Sequence, residues 1–277
     1  MKTKKISFQG LKGAYSDLAC NKFYKEYEPH PCTTFEEALD AVRRNIAFLA
    51  MIPVENNIAG RVADMHVLLQ SLKLKIIAEH YLKIEHNLLI RKNNQLQNIR
   101  FAYSHAHALS QCKNKLEELG LKPVTHLDTA GAAKFISEND DKKNAAVASS
   151  LAAKIYDLKI IKKNIEDDKN NITRFLVFSK KSLAVNLKKK IITTIVFDTK
   201  NKPASLYTAL GGFAENNINL TRLESFFVNK EFKQFSFLID VESHPKSKEF
   251  LKAMNVIKKI AYKIKILGFY EASTFRK

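Results

Sequence analysis

A chain of 277 residues, 45% of them apolar, is long enough for two ordinary domains and apolar enough to give each a core. The formal net charge of +18 is spread from Lys2 to Lys277 in small lysine groups, without an arginine-rich cluster or an aromatic RNA-binding pattern. It reads as a solvated, steering surface and excludes nucleic acid as the expected partner. No apolar run approaches the roughly 18 residues of a membrane span, and the stretch after Met1–Lys5 is too short for a signal peptide, so no membrane partner and a cytoplasmic location are expected.

Cys20, Cys32 and Cys112 are scattered and form no Cys-x-x-Cys pair, and the eight histidines lack His-Glu-x-x-His spacing. His105 and His107, two apart, would fall on different faces of a helix. No metal and no disulfide framework is expected.

Lys5–Phe8 alternates as a short strand. Gly10-Leu11-Lys12-Gly13-Ala14-Tyr15-Ser16 then turns into a helix from Asp17 to about Tyr27. Two glycines three apart let the backbone approach a ligand, and a helix start offers N–H groups to an anion. Thr34-Phe35-Glu36-Glu37 is a capping box for a helix ending near Asn45. Ile46–Ile52 is a continuous apolar run, consistent with a buried strand, and opens into Pro53-Val54-Glu55-Asn56-Asn57 and Gly60. A carboxylate and two amides at a strand end are costly unless bonded or used.

Val62–Leu72 reads as an amphipathic helix, and Ile76–Ile77 and Tyr81–Ile90 as strands. Arg100–Tyr103 is a strand leading into a helix capped by Ser104 and ending near Gly120, with Gln111 two turns along. Thr129–Ser137 is a helix capped by Asp128 or Thr129, Asn144–Ser149 a small-residue strand, and Leu151–Leu158 a helix. The long connection Ile160–Ile172 returns the chain to Asn170-Asn171-Ile172-Thr173-Arg174-Phe175, a polar turn running into an apolar strand. Strand ends hold short donors more rigidly than free loops do. The alternation of strands and helices makes this an α/β domain, residues 1–185. Beyond the lysine-rich joint 180–190, strand Ile191–Asp198, helix Ala204–Asn217, strands Ile218–Val228 and Phe232–Val241, helix Ser247–Ala261 and strand Tyr262–Phe269 give a ferredoxin-like βαββαβ order over 191–277.

Four motifs in order, Gly10–Ser16, Pro53–Gly60, Ser104–Cys112 and Asn170–Phe175, resemble those of the prephenate dehydratase family. The C-terminal module resembles the ACT domain that follows there, with Leu223-Glu224-Ser225 at its ligand motif. The likeness spans nearly the whole chain. It implies conversion of prephenate to phenylpyruvate with loss of carbon dioxide and water in phenylalanine synthesis, without a cofactor. It also implies a two-lobed catalytic fold like that of periplasmic binding proteins, and feedback inhibition by L-phenylalanine at an ACT interface of a homodimer or homotetramer. The ACT positions it assigns to that effector are Ala204, Ser205, Leu206, Leu223, Glu224 and Ser225.

The same likeness assigns Thr173 to the leaving hydroxyl as a donor. It makes Glu55 either a proton source or an ionised partner of Asn56 or Arg174, and it gives Arg174 a substrate carboxylate. Ala14, Tyr15, Asn56, Ser104, Gln111, Asn171 and Phe175 are implied to contact substrate. Departures from the family pattern are Ala14 for a frequent Thr, Ala106 and His107 for Pro and Gln, and Phe226-Phe227 for Arg-Pro, the last weakening the case for phenylalanine inhibition. No chorismate mutase segment precedes Ile6, so a monofunctional enzyme is expected. The alternatives are an arogenate dehydratase, acting on the amino analogue of the same ring, and a non-catalytic amino-acid sensor.

Overall fold

The computed structural model describes residues 3–62, 68, 73–199, 202–227 and 235–276. The chain packs as two compact units, one of residues 1–62 and 81–175, the other of residues 63–80 and 176–277.

The first unit carries strands β1 (Lys5–Gln9), β2 (Glu28–Cys32), β3 (Leu49–Asn56) and β4 (Gly60–Arg61), with helices α1 (Tyr15–Phe23) and α2 (Phe35–Arg43). β1 lies between β2 and β3, parallel to both. The α1 start falls two residues before the expected Asp17, and the chain leaves the helix at Tyr24 to form β2, a strand that its sequence hides. Pro29 and Pro31 are two apart, so both missing N–H groups point the same way. That is tolerable because β2 is the sheet's edge strand. The buried run also starts later than its composition suggests: Ile46 and Phe48 are half exposed, and β3 continues through Pro53 to Asn56. The second motif therefore lies on a strand, where alternation decides which way each side chain faces.

A second sheet has the order β10-β6-β9-β7-β8, from β6 (Asn87–Arg91), β7 (Phe101–Ser104), β8 (Lys122–Thr125), β9 (Asn144–Ala148) and β10 (Leu158–Lys162). It is mixed: β7 runs parallel to β8 and β9, whereas β6 is antiparallel to β9 and β10. Both faces are covered. Leu88, Ile90, Ala145 and Val147 pack with Leu109 and Leu116 on one side, while Leu89, Ala146 and Ala148 meet Ala132, Ala133 and Ile136 on the other. The helices are α3 (Ala106–Ser110), α4 (Lys113–Glu118), α5 (Thr129–Glu138) and α6 (Ser150–Ile155).

Three expectations change here. The single helix expected from Ser104 is two short ones, α3 and α4, separated at Gln111–Cys112. The strand expected over Tyr81–Ile90 is two: β5 (Lys75–Lys83) belongs to the first sheet and β6 to the second, so Ile84-Glu85-His86 is a crossing. The edge strands β8 and β10 also depart from expectation: β8 is short and mostly polar, and β10, with Leu158, Ile160 and Ile161, takes the end of the helix expected over Leu151–Leu158 and the start of the expected connection Ile160–Ile172. The helix expected over Val62–Leu72 lies, apart from Val62 and Leu68, outside the described residues.

In the second unit β12 (Ile191–Thr199), α7 (Ser205–Ala214), β13 (Leu220–Phe227), β14 (Phe235–Val241), α8 (Lys248–Ile260) and β15 (Ala261–Glu271) follow in the expected βαββαβ order. Their sheet order is β13-β14-β12-β15, antiparallel throughout, which is the ferredoxin-like arrangement. Ile195, Phe197, Ile239 and Val241 point to one face and pack with Phe213, Phe250 and Met254. Gly212 lets the two helices touch, since a Cβ there would stand 2.9 Å from Val256 Cβ. Gly268 of β15 pairs with Ile76 of β5.

Candidate active site

A cavity of about 310 Å³ opens in the first unit, within the range of small-ligand pockets. Gly10, Ala14, Tyr15 and Ser16 line it from the β1–α1 turn, Pro53, Asn56 and Ala59 from β3 and its turn, and Thr173 and Phe175 from β11 (Ile172–Ser179). Ile84 and His86 line it from the crossing between the sheets, with His105, His107 and Ala108 from the α3 start, Gln111 from the α3 end, and Asp128 and Thr129 from the α5 start.

The Gly-rich turn is fixed by close approach. Gly13 has φ +89°, a Cβ on it would stand 2.8 Å from Ala152 Cα, and Ser149 Oγ donates to its carbonyl at 2.6 Å. Ala14, at the N-cap of α1, makes no side-chain bond to the helix start. The first-turn N–H groups therefore remain as partial positive charge beside the cavity.

Across the cavity runs a chain of neutral polar groups whose hydrogens can be placed one after another. Asn56 Oδ1 accepts from the backbone N–H groups of Ile58 at 3.0 Å and Ala59 at 2.7 Å, which fixes its amide orientation. Its Nδ2 then donates to Asn171 Oδ1 at 2.7 Å and Thr173 Oγ1 at 2.9 Å. Asn171, fully buried, accepts at Oδ1 and donates from Nδ2 to Gln111 Oε1 at 2.9 Å. Gln111 Oε1 also meets His86 Nε2 at 3.0 Å, and a carbonyl oxygen only accepts, so His86 carries its proton on Nε2. His86 Nδ1 is left as an acceptor for Tyr15 OH at 2.7 Å, the shorter of that hydroxyl's two contacts, the other being Glu85 O at 3.0 Å. Burial lowers the His86 pKa from its ordinary value, which keeps the ring neutral, and burial raises the Tyr15 phenol well above its own.

Two donors are left over. Thr173 accepts from Asn56, so its own hydrogen is available to a ligand, and Gln111, engaged at Oε1, keeps its NH₂ for one. The acidic stretch before β11 holds the frame: Glu166 Oε2 accepts from His86 N at 2.8 Å, and Asp167 accepts from the N–H groups of Asn114 and Lys115 at the α4 start.

The structure brings Ala14, Tyr15, Asn56, Gln111, Thr173 and Phe175 to the cavity, with Asn171 one bond behind them. It places three expected residues elsewhere. Side chains alternate along a strand, so with Thr173 and Phe175 facing the cavity Arg174 faces away, and Asn56 likewise turns Glu55 to the opposite face. There Arg174 Nη1 and Glu55 Oε2 lie 3.6 Å apart, the arginine 3% and the glutamate 46% exposed. Glu55 therefore lacks the burial that would suit it to be a proton source, and Arg174 is not placed to grip a carboxylate in this cavity. Ser104 is fully buried and donates to Val147 O at 2.6 Å, and the N-cap of α3 is His105.

His86, His105 and Asp128 join the lining without having been expected, and His107, which replaces a frequent Gln of the family pattern, lines it as well. His105 precedes the helix, so helical spacing never applied to the His105–His107 pair, whose ring centroids are 5.2 Å apart. The available signal for His86 was a pair of polar residues, Glu85-His86, where an alternating strand gives way to a continuous apolar run.

The ACT-type positions lie in the second unit. Ala204 takes a left-handed conformation (φ +64°) at the N-cap of α7, which Ser205 and Leu206 begin. On β13, Leu223 is 46% exposed, Glu224 accepts from Arg222 Nε at 2.9 Å, and Ser225 pairs with Phe237.

Two mixed sheets with flanking helices thus frame a cavity lined by amides, hydroxyls and imidazoles. The family model described as prephenate dehydratase matches residues 6–183. A bifunctional N-acyl-homoserine lactone acylase/prephenate dehydratase of Komagataeibacter europaeus is 41% identical over 273 residues, 98% of this chain and 97% of that protein. Arogenate dehydratase 2 of Petunia hybrida is 34% identical over 284 residues, 98% of this chain and 72% of that one. The crystal structure of prephenate dehydratase in complex with L-Phe from Arthrobacter aurescens superposes with a TM-score of 0.88 at 27% identity, over 97% of this chain and 90% of that one. The chain belongs to the prephenate dehydratase family.

Proposed function

We propose that the chain converts prephenate to phenylpyruvate, a step of phenylalanine synthesis, with arogenate as the alternative substrate. The observation that carries this reading is the fixed direction of the hydrogen bonds ending at Thr173. Asn56 donates to Thr173 Oγ1, and the Thr173 hydroxyl hydrogen, for which no protein acceptor is found among the described residues, is left available to a ligand.

Chemically, the C–CO₂ bond breaks, its electron pair enters the ring, and the C–OH bond on the far side of the ring gives up the leaving oxygen. One proton completes water. Aromatisation supplies the driving force, so the protein has to stabilise charge on the departing oxygen and orient the anion. Thr173 donates to that oxygen. The Gln111 amide and the N–H groups at the α1 start meet a carboxylate, and Phe175 with Ile84 keeps water from the departing one. A threonine hydroxyl is too weak an acid to be the ultimate proton source.

For the second unit, the βαββαβ order and the L-Phe complex of the Arthrobacter relative support an ACT regulatory domain over 191–277, following a catalytic domain over 1–185. Exposed Tyr207, Leu223 and Phe227 on α7 and β13 suit a contact between copies, and so a homodimer or homotetramer. L-Phenylalanine would bind there around Ala204–Leu206 and Leu223–Ser225.

A second reading comes from the Komagataeibacter relative, whose name couples both activities to a chain of nearly the same length. Turnover of prephenate, arogenate and an N-acyl-homoserine lactone, with and without L-phenylalanine, tests these readings together. Phenylpyruvate from prephenate is the expected product. Cleavage of the acyl-homoserine lactone's amide bond alone, with both ring acids inert, would overturn the dehydratase reading.

A further inference from the structure

The charge lining the cavity bears on which form of the ring acid it favours. Asp128 is the one carboxylate among the described lining residues, and neither lysine nor arginine is among them. Asp128 caps α5 through a single oxygen, Oδ1, which accepts from Gly131 N at 2.7 Å. No described lysine or arginine pairs with it, and no bond to its Oδ2 is found. The neighbouring imidazole does not offset the charge. Burial and His107 together lower the His105 pKa, and the opposing pull of Asp128 does not reverse this, so His105 is neutral at neutral pH.

A substrate with two carboxylates and a keto group thus meets an uncompensated negative charge. A substrate in which an ammonium replaces the keto oxygen meets a partner for it. The two forms of the ring acid differ at this one group, at the end of the molecule away from the leaving hydroxyl. Thr173 stands on β11, and Asp128 stands at the start of α5, which packs on the other sheet.

Resting on the dehydratase reading, we propose that Asp128 Oδ2 accepts a hydrogen bond from the α-ammonium of a 2-amino acid substrate. It thereby gives the amino form of the ring acid an affinity that the 2-oxo form does not receive. Asp128 is then a specificity residue with two tasks on separate oxygens, Oδ1 capping the helix and Oδ2 reading the substrate.

Asp128→Asn separates the tasks, because asparagine caps a helix as well as aspartate does but carries no charge. The measurement is kcat/KM for the amino and the oxo substrate, wild type beside Asp128→Asn, with calorimetric affinities for both ligands on the same two proteins. The expected result is a fall of about tenfold or more in the amino-to-oxo ratio, the scale of one charge-assisted hydrogen bond. A ratio that stays within about twofold, with both substrates shifting together, would show a cap and nothing more, and would overturn the proposal. If the wild type turns over neither ring acid, the dehydratase reading fails, yet the ratio of affinities still decides the role of Asp128. Failure of the amino ligand to bind wild type also overturns it.

Discussion

On the cavity face of β3 and β11, Asn56, Thr173 and Phe175 present an amide, a hydroxyl and an apolar ring. On the other face of the same two strands, one residue away in each case, Glu55 and Arg174 form an ion pair. The two faces share motifs and differ in task. The neutral face has its hydrogens ordered by backbone N–H groups and keeps a donor for a ligand. The charged face ties the strands together where one partner is buried and the other half exposed. Motif adjacency is therefore a poor guide to chemical adjacency when the motif lies on a strand.

The contrast can be broken at either face. Thr173→Ala removes the donor from the neutral face and lowers turnover of prephenate by about two to four orders of magnitude, the range for losing a key acid–base or oxyanion donor. Circular dichroism and melting temperature should hardly change.

The next effect depends on pH. Burial lowers the His86 pKa from its ordinary value of about 6.5, so the ring is neutral at neutral pH. Protonation at Nδ1 would replace the acceptor that Tyr15 OH uses. Turnover should then be level at neutral pH and fall as pH drops through the folded-state pKa, by about tenfold per unit at the limit. The sign for stability is the same, because the unfolded state binds the extra proton first as pH drops below about 6.5. A rate profile beside an NMR titration of His86 checks both.

On the charged face, Arg174→Met removes a buried charge and its bonds. It should cost stability, on the order of 1–3 kcal/mol by denaturant or thermal melting, with KM for prephenate within about threefold. Glu55→Gln is the smallest change. The glutamate is half exposed, so about 0–1 kcal/mol of stability and less than about threefold in turnover are expected. A large loss of turnover in this variant would return Glu55 to the chemistry and erase the contrast.

Much of this was legible in the residues. Thr34 caps α2, accepting from Glu37 N at 3.1 Å, as its capping box requires. The alternation in Phe235–Val241 placed β14, and the βαββαβ order followed. The motif residues Tyr15, Asn56, Gln111 and Thr173 do meet, although they come from four separate segments. What failed has physical causes. β2 is written with prolines that only an edge strand tolerates, β8 is a polar edge with little burial to mark it, and β10 is a short apolar run, Leu158–Lys162, that follows directly on a helix with no turn residue but Asp157 between them. His86 sits where the chain changes sheets, an event that leaves no periodicity. For Glu55 and Arg174 the necessary rule was already present in the sequence: on a strand, neighbours of cavity-facing residues face away.

The proposed leaving-group step rests on the hydroxyl hydrogen of Thr173, whose oxygen accepts from Asn56. The most direct test is kcat with prephenate for Thr173→Ser beside Thr173→Val. Serine keeps the hydroxyl and valine keeps the shape. The account predicts that the serine variant stays within about tenfold of wild type and the valine variant loses about a hundredfold or more. Equal losses in both, or a valine variant that turns over normally, would contradict it.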